Sequence, residues 1–288
     1  MGRTGRVRPM PSHVSTSGFF RKLGAISGDL SAAVTSLLFP APCRLCDQLL
    51  VHAKRLPVCD ACVSSFTQIS SECCSTCGQP WTTQEGTLSP ESICRECYAD
   101  KFSFKFARSF GVYEGNLSRA ILLLKHDPIP PLSDWFARQL KRKFEEELGK
   151  LQIDIVVPVP LHRQRRKGRG FNQVDLFGRP LARLLGLPYR PNLLVRAKPR
   201  PEKHLLNMEE RWESVRGAFA MQKASPVDNL KILLLDDVMT SGATLDACSR
   251  VLRDAGASFV ACLTVGRALR FASPTREELE VTGVKEAR

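Results

Sequence analysis

No stretch of this chain stays apolar for the roughly 18 to 20 residues that a bilayer-spanning helix needs, so an integral membrane protein built of helices is excluded. The basic N-terminus (Arg3, Arg6, Arg8) lacks a compact apolar run before an Ala-x-Ala-like site, so a secretory leader is not expected and the reading is cytoplasmic. Acidic residues are also scarce: 29 Asp and Glu face 42 Lys and Arg, for a formal charge of +13. That imbalance favours an anionic partner, either nucleic acid or a phosphorylated small molecule, and says nothing about fold. A Walker-type phosphate loop is missing as well, since no Gly-Lys-Ser/Thr follows an apolar strand.

Cysteine is abundant, with eleven residues, and in a reducing compartment their clustering calls for metal before disulfides. Four CxxC pairs stand at Cys43/Cys46, Cys59/Cys62, Cys74/Cys77 and Cys94/Cys97. Each pair grips a metal from one tight turn, and two pairs complete the four-thiolate tetrahedron of structural Zn2+. Eight ligands make two sites. Sequential pairing is the simplest, and an interleaved cross-brace remains open. Cys73 is a spare, because Gly78 suits the turn after a Cys74/Cys77 pair; Cys248 and Cys262 read as buried small hydrophobes. A closed shell of four thiolates leaves no position for water, so the role is structural: zinc replaces a core that so short a segment cannot build.

At 288 residues, two domains are the natural expectation. The segments expected are a disordered tail over 1–18, an amphipathic helix over 19–40, a double zinc-binding module over 41–103, an α/β domain over 104–270 and a flexible tail over 271–288. The 19–40 helix suits packing, or a peripheral membrane contact with Arg21 and Lys22 as its cations. Further on, "FKFARSFGVYEG" alternates as a strand, "LSRAILLLKH" and 132–148 read as helices, and "IDIVVPVP" reads as a strand buried on both faces. A helix over 172–185, a strand over 231–235, a helix over 243–255 and a strand over 259–265 complete a parallel α/β pattern.

The only Asp-Asp pair lies in "KILLLDDVMTSGAT". At the carboxyl end of a parallel strand, Asp236 and Asp237 face the crevice where ligands settle. Thr240, Ser241, Gly242, Ala243 and Thr244 then curl into a helix start whose N–H groups and hydroxyls suit a phosphate. The carboxylates suit sugar hydroxyls, directly or through Mg2+. "ILLLDDVMTSGAT" resembles the phosphoribosyl pyrophosphate (PRPP) motif of type I phosphoribosyltransferases. That resemblance implies Asp236 and Asp237 on the ribose, as the catalytic pair, and 240–244 on the 5′-phosphate. Together with the cysteine pairs, "VVPVPLHRQRRKGRGFNQ" and "RWESVRGAF", the chain resembles the competence protein F family. The implied architecture is a small zinc-ribbon module ahead of a type I phosphoribosyltransferase-like parallel sheet flanked by helices.

"HRQRRKGRGFNQ" places Arg163, Arg165, Arg166, Lys167 and Arg169 within seven residues, beside Phe171. As a flexible cationic loop, it would hold the pyrophosphate of PRPP or track a nucleic-acid backbone while Phe171 stacks a base. Arg196, Lys198, Arg200, Lys203 and Arg211 extend the cationic surface, and His162 is a candidate general base. The family resemblance implies single-stranded DNA as a partner, in natural transformation, with a DNA-import ATPase or helicase as a further one. Two functions follow. One is a PRPP-binding accessory of DNA uptake, with Mg2+ at the ligand; the other is a working phosphoribosyltransferase with an unidentified acceptor.

Overall fold

The computed structural model describes residues 41–50, 55–81, 92–99, 102–199, 208–222 and 226–269. The expected tails and the 19–40 helix lie outside these residues, as do Arg200 and Lys203. The chain forms two compact units, Met1–Pro57 and Val58–Arg288.

In the second unit, four strands build an all-parallel sheet in the order β1-β6-β5-β2: β1 (Phe106–Val112), β6 (Phe259–Arg267), β5 (Lys231–Met239) and β2 (Ile155–Pro158). The parallel arrangement follows from composition. Val156, Val157, Ile232, Leu233, Leu234 and Leu235 are all buried, which only a sheet covered on both faces allows. Helices α3 (Gly115–His126), α4 (Pro130–Leu151), α6 (Gln173–Leu185) and α8 (Ala243–Asp254) cover it. Their ends are specified locally. Pro begins α4 and Asn172 caps α6 by accepting from Val174 N at 3.2 Å, while Gly186 ends α6 in a left-handed turn.

Three elements differ from the expectation. β5 runs on to Met239, carrying both acids within the strand, because β6 continues beside it in the pairs Asp236↔Thr264, Val238↔Gly266 and Met239↔Arg267. The basic segment, expected as a flexible loop, is instead a helix, α5 (Arg163–Arg169), which His162 opens by accepting from Gln164 N at 3.4 Å and Gly170 closes at φ +82°. β3 (Leu194–Arg196) and β4 (Phe219–Met221) form a small antiparallel pair, and α7 (Met208–Glu213) precedes β4.

The cysteine turns repeat one geometry. In 41–57, Cys43 N donates to Gln48 O at 2.8 Å, Asp47 N donates to Cys43 O at 2.9 Å, and Pro42 bridges Leu49. In the second unit, Cys74 N donates to Gln79 O at 2.8 Å, Gly78 N donates to Cys74 O at 2.9 Å, and Cys73 bridges Pro80. Asp47 and Gly78, four residues after the leading cysteine, both take positive φ, at +60° and +66°. Gly78 is the tighter case: a Cβ there would meet Ala107 O at 2.7 Å, because this turn lies against β1. Ala107 N donates to Thr76 O at 2.7 Å, and Arg108 Nη1 donates to Ser75 O at 3.0 Å. Short helices α1 (Asp60–Ser64) and α2 (Arg95–Ala99) carry Cys62 and Cys97.

Candidate functional site

The parallel register brings β5 to the centre of the crevice with its two acids in unlike settings. Asp237 is buried, yet its Oδ2 lies 3.1 Å from the Lys125 ammonium and accepts from Gln173 Nε2 at 3.1 Å. Burial opposes its charge, but Lys125 and Gln173 outweigh that and hold Asp237 below the usual carboxylate range. The same exchange lifts Lys125: burial works against the ammonium, and Asp237 overcomes it. Asp236 goes the other way. Burial and the neighbouring Asp237 charge push it well above the usual value, although Asp237 N donates to its Oδ1 at 2.8 Å. One acid is thus a fixed anion and the other a reluctant one, so the pair is poised for a partner that brings positive charge or hydroxyl donors.

Directly after β5, Gly242 stands at φ +87° and turns the chain into α8. No β-carbon fits easily there, since it would meet Met239 Cε at 2.8 Å and the Phe102 ring at 3.0 Å. Ser241 Oγ accepts from Ala243 N at 3.3 Å, and Asp246, in the first turn of α8, accepts from Ser103 N at 2.6 Å. From the last strand the fully buried Arg267 reaches this turn, donating through Nη1 to Met239 O at 3.1 Å and to Thr240 O. Its Nη2 lies 3.7 Å from Cys77 Sγ. A single guanidinium therefore joins the 240–244 loop to a cysteine of the second quartet.

α5 divides its cations between its two ends. Arg169 Nη1 donates to Gln173 Oε1 at 2.6 Å, and Gln173 is the residue that holds Asp237. Arg163 and Arg166 line a cavity of about 580 Å3 on another side, together with His162 and Arg196. His162 occupies its nitrogen in capping α5, a structural use. Phe171 is partly buried, not an open stacking platform. Lys125 and Gln173, which contact Asp237, are residues to which the sequence pattern assigns no role. A lysine ending the otherwise apolar run "AILLLKH" is their one visible signal.

Of the two sets that sequential pairing predicts, Cys43, Cys46, Cys59, Cys62 and Cys74, Cys77, Cys94, Cys97, the second lies wholly within one unit and gathers its ligand atoms within 4.8 Å of one another. That grouping is sequential rather than interleaved, and Cys73 stays outside it, its thiol raised by burial. In the second set, Cys74 Sγ accepts from Cys77 N at 3.5 Å and from Cys94 N at 3.3 Å, the pattern that steadies metal-bound thiolates. Hydrogen bonds from Cys77, Cys94 and Cys97 pull the Cys74 thiol down, while sharing with Cys74 pushes Cys97 up. Four sulfurs so close ionise together only around a cation, and both sets fit structural Zn2+. Cys248 and Cys262 are buried in the sheet region, as expected of small hydrophobes.

The parallel sheet, the acid pair within β5 and the cysteine quartets define a class: a zinc-ribbon protein with a parallel α/β domain. A family model described as a double zinc ribbon domain matches residues 34–98. The chain is homologous to competence protein F and to the DNA utilization proteins. It is 28% identical over 227 residues to DNA utilization protein YhgH of Salmonella typhimurium, covering 78% of this chain and 96% of that one. To competence protein F of Haemophilus influenzae it is 27% identical over 230 residues, covering 78% and 90%. To competence protein ComFC of Bacillus subtilis it is 27% identical over 209 residues, covering 69% and 79%. A solved adenine phosphoribosyltransferase from Saccharomyces cerevisiae aligns over 55% of this chain and 76% of its own at 19% identity, with a TM-score of 0.33.

Proposed function

We propose that the protein binds the phosphoribosyl group of PRPP with Mg2+ and takes part in handling single-stranded DNA. The observation that carries this is the pairing of unlike acids on β5 with a tight glycine turn immediately beyond them. Asp236 and Asp237 accept from ribose hydroxyls, and the amides and hydroxyls of 240–244 hold the 5′-phosphate. Arg169, tied through Gln173 to Asp237, faces the pyrophosphate. Mg2+, when bound with the ligand, would neutralise part of the pyrophosphate charge. The DNA part draws on the relatives' names, competence and DNA utilization, and on the charge of +13. Calorimetry with Mg-PRPP tests the first part. Binding should be measurable for the zinc-loaded protein and lost in the Asp236→Ala/Asp237→Ala variant; equal binding by both would remove these acids from the ligand.

A second reading, active phosphoribosyl transfer, is favoured by the unlike ionisation of the two acids on β5, one held as an anion and the other resisting charge. The acceptor nucleophile would bond to the anomeric carbon and lose its proton, while pyrophosphate leaves with the electron pair of the broken C–O bond. Release of pyrophosphate that depends on acceptor and is abolished by Asp237→Ala would establish it. No release across bases, nucleosides and amines would count against it.

A further inference from the structure

The cations of α5 serve different places, and Arg169, at its C-terminal end, is the one tied through Gln173 to the acid pair. Arg163 and Arg166, within its first four residues, line the cavity of about 580 Å3; neither acid, nor Arg169, nor any residue of 240–244 lines it. Its size lies within the ordinary range for small-ligand sites, roughly 300 to 1,000 Å3. Further lining comes from β3 and the residue after β4: Leu194, Val195, Arg196 and Gln222.

Three kinds of chemistry meet in this cavity. Arg163, Arg166 and Arg196 bring three cationic groups against the one carboxylate of Asp175, which is already engaged by Tyr189 Oη at 2.7 Å. Leu161 and Val195 supply an apolar wall, and Val195 is 39% exposed, a β-branched side chain turned to solvent with no core to fill. Asn192 and Gln222 add amides, each able to donate and accept. An inorganic anion would use the cations alone, and an apolar ligand the wall alone. A nucleotide uses all three: phosphate on guanidinium, base face on the aliphatic wall, base edge on amide.

We propose that this cavity is a nucleotide site separate from the acid pair, taking one nucleotide either free or as a unit of a DNA strand. The proposal deepens the nucleic-acid part of the function proposed above and rests on it. Arg163 and Arg166 hold the phosphate there, while Arg169 serves the other site.

Fluorescence anisotropy of the zinc-loaded full chain with a labelled thymidine oligonucleotide, at low salt and with thymidine 5′-monophosphate as competitor, tests this. Arg163→Gln/Arg166→Gln should weaken oligonucleotide binding about tenfold or more and flatten its salt slope by about 0.7 for each phosphate left without its arginine. The same variant should bind Mg-PRPP as the parent does, whereas Arg169→Gln should lose Mg-PRPP and keep the oligonucleotide. Val195→Glu, which places a carboxylate on the wall, should repeat the first loss without touching any cation. Competition by the mononucleotide identifies a free-nucleotide site, and its failure beside arginine-dependent oligonucleotide binding identifies a strand site. Oligonucleotide binding that survives both the arginine and the Val195 changes would overturn the cavity as the site. No oligonucleotide or mononucleotide binding by the parent protein would overturn the nucleic-acid reading as well, leaving the Mg-PRPP result standing by itself.

Discussion

The Lys125–Asp237 pair sets the ionisation of the acid site, and its energetics follow from its burial. Removing one partner of a largely buried pair leaves an uncompensated charge, so Lys125→Met should destabilise the fold by about 3 kcal/mol, and Asp237→Asn on that background should recover much of it. A double-mutant cycle in denaturant measures the coupling. The pH dependence has a definite sign. Asp237 is depressed, so its contribution is full above its unfolded value, about 4, and is lost as pH falls through the lower folded value. Lys125 is raised, so its contribution is full below about 10.4 and is lost as pH rises through a higher folded value. The stability gap between parent and Lys125→Met should therefore stay level across neutral pH and close only at the acid and alkaline extremes. The two acids themselves are legible as the chain's only Asp-Asp pair, flanked by an apolar run and a Thr-Ser-Gly turn. Lys125 as their partner is not, because nothing local to "ILLLKH" reveals what a sheet order will bring beside it.

Elements are legible where periodicity or composition is strong and hidden where it is weak. β2 and β5 announce themselves as unbroken aliphatic runs, and α6 by its cap and apolar face. β3 and β4 are three residues each with only one buried position apiece, too short for alternation to register. α5 escapes because almost all of its seven residues are cationic or polar and none is buried; its ends, His162 and Gly170, define it better than its middle. The cysteine turns carry a test at this scale. Gly78→Ala combines a left-handed backbone, costing a side chain about 1 to 2 kcal/mol, with a Cβ 2.7 Å from Ala107 O. The variant should release zinc to a chelator faster from the second quartet, to the extent of one zinc per chain, with the first quartet unaffected. Equal release from both quartets, or from neither, would mean that the turn is not what seats the metal.

Over the second unit, the cysteine turn, β1 and the candidate phosphate loop share one packed region. Cys74, Cys77, Cys94 and Cys97 lie in the same apolar cluster as Val157, Ile232, Leu234 and Ala243. Arg267 spans it from Cys77 to Met239 and Thr240. Stripping zinc should therefore loosen amides of 240–244 as well as those around the cysteines, read by hydrogen exchange with no ligand present. Arg267→Lys, which keeps the charge but not the fork of donors, should give the same loosening at full zinc content. Protection of 240–244 that is indifferent to both changes would show that the loop is held by α8 alone.

The strand order also sets a timetable. Among the described strands, β1 is the first to leave the ribosome, yet its one partner in the four-stranded sheet is β6, the last of them, in the register Phe106↔Ala261 through Val112↔Arg267. Loop-closure entropy across most of the unit must be met before that pairing contributes anything, which makes such topologies slow to form. The cysteines of the second quartet are translated early but receive Arg267 at the end. During synthesis the metal is thus the earliest available organiser of this region, and the sheet arrives to a turn that zinc has already shaped.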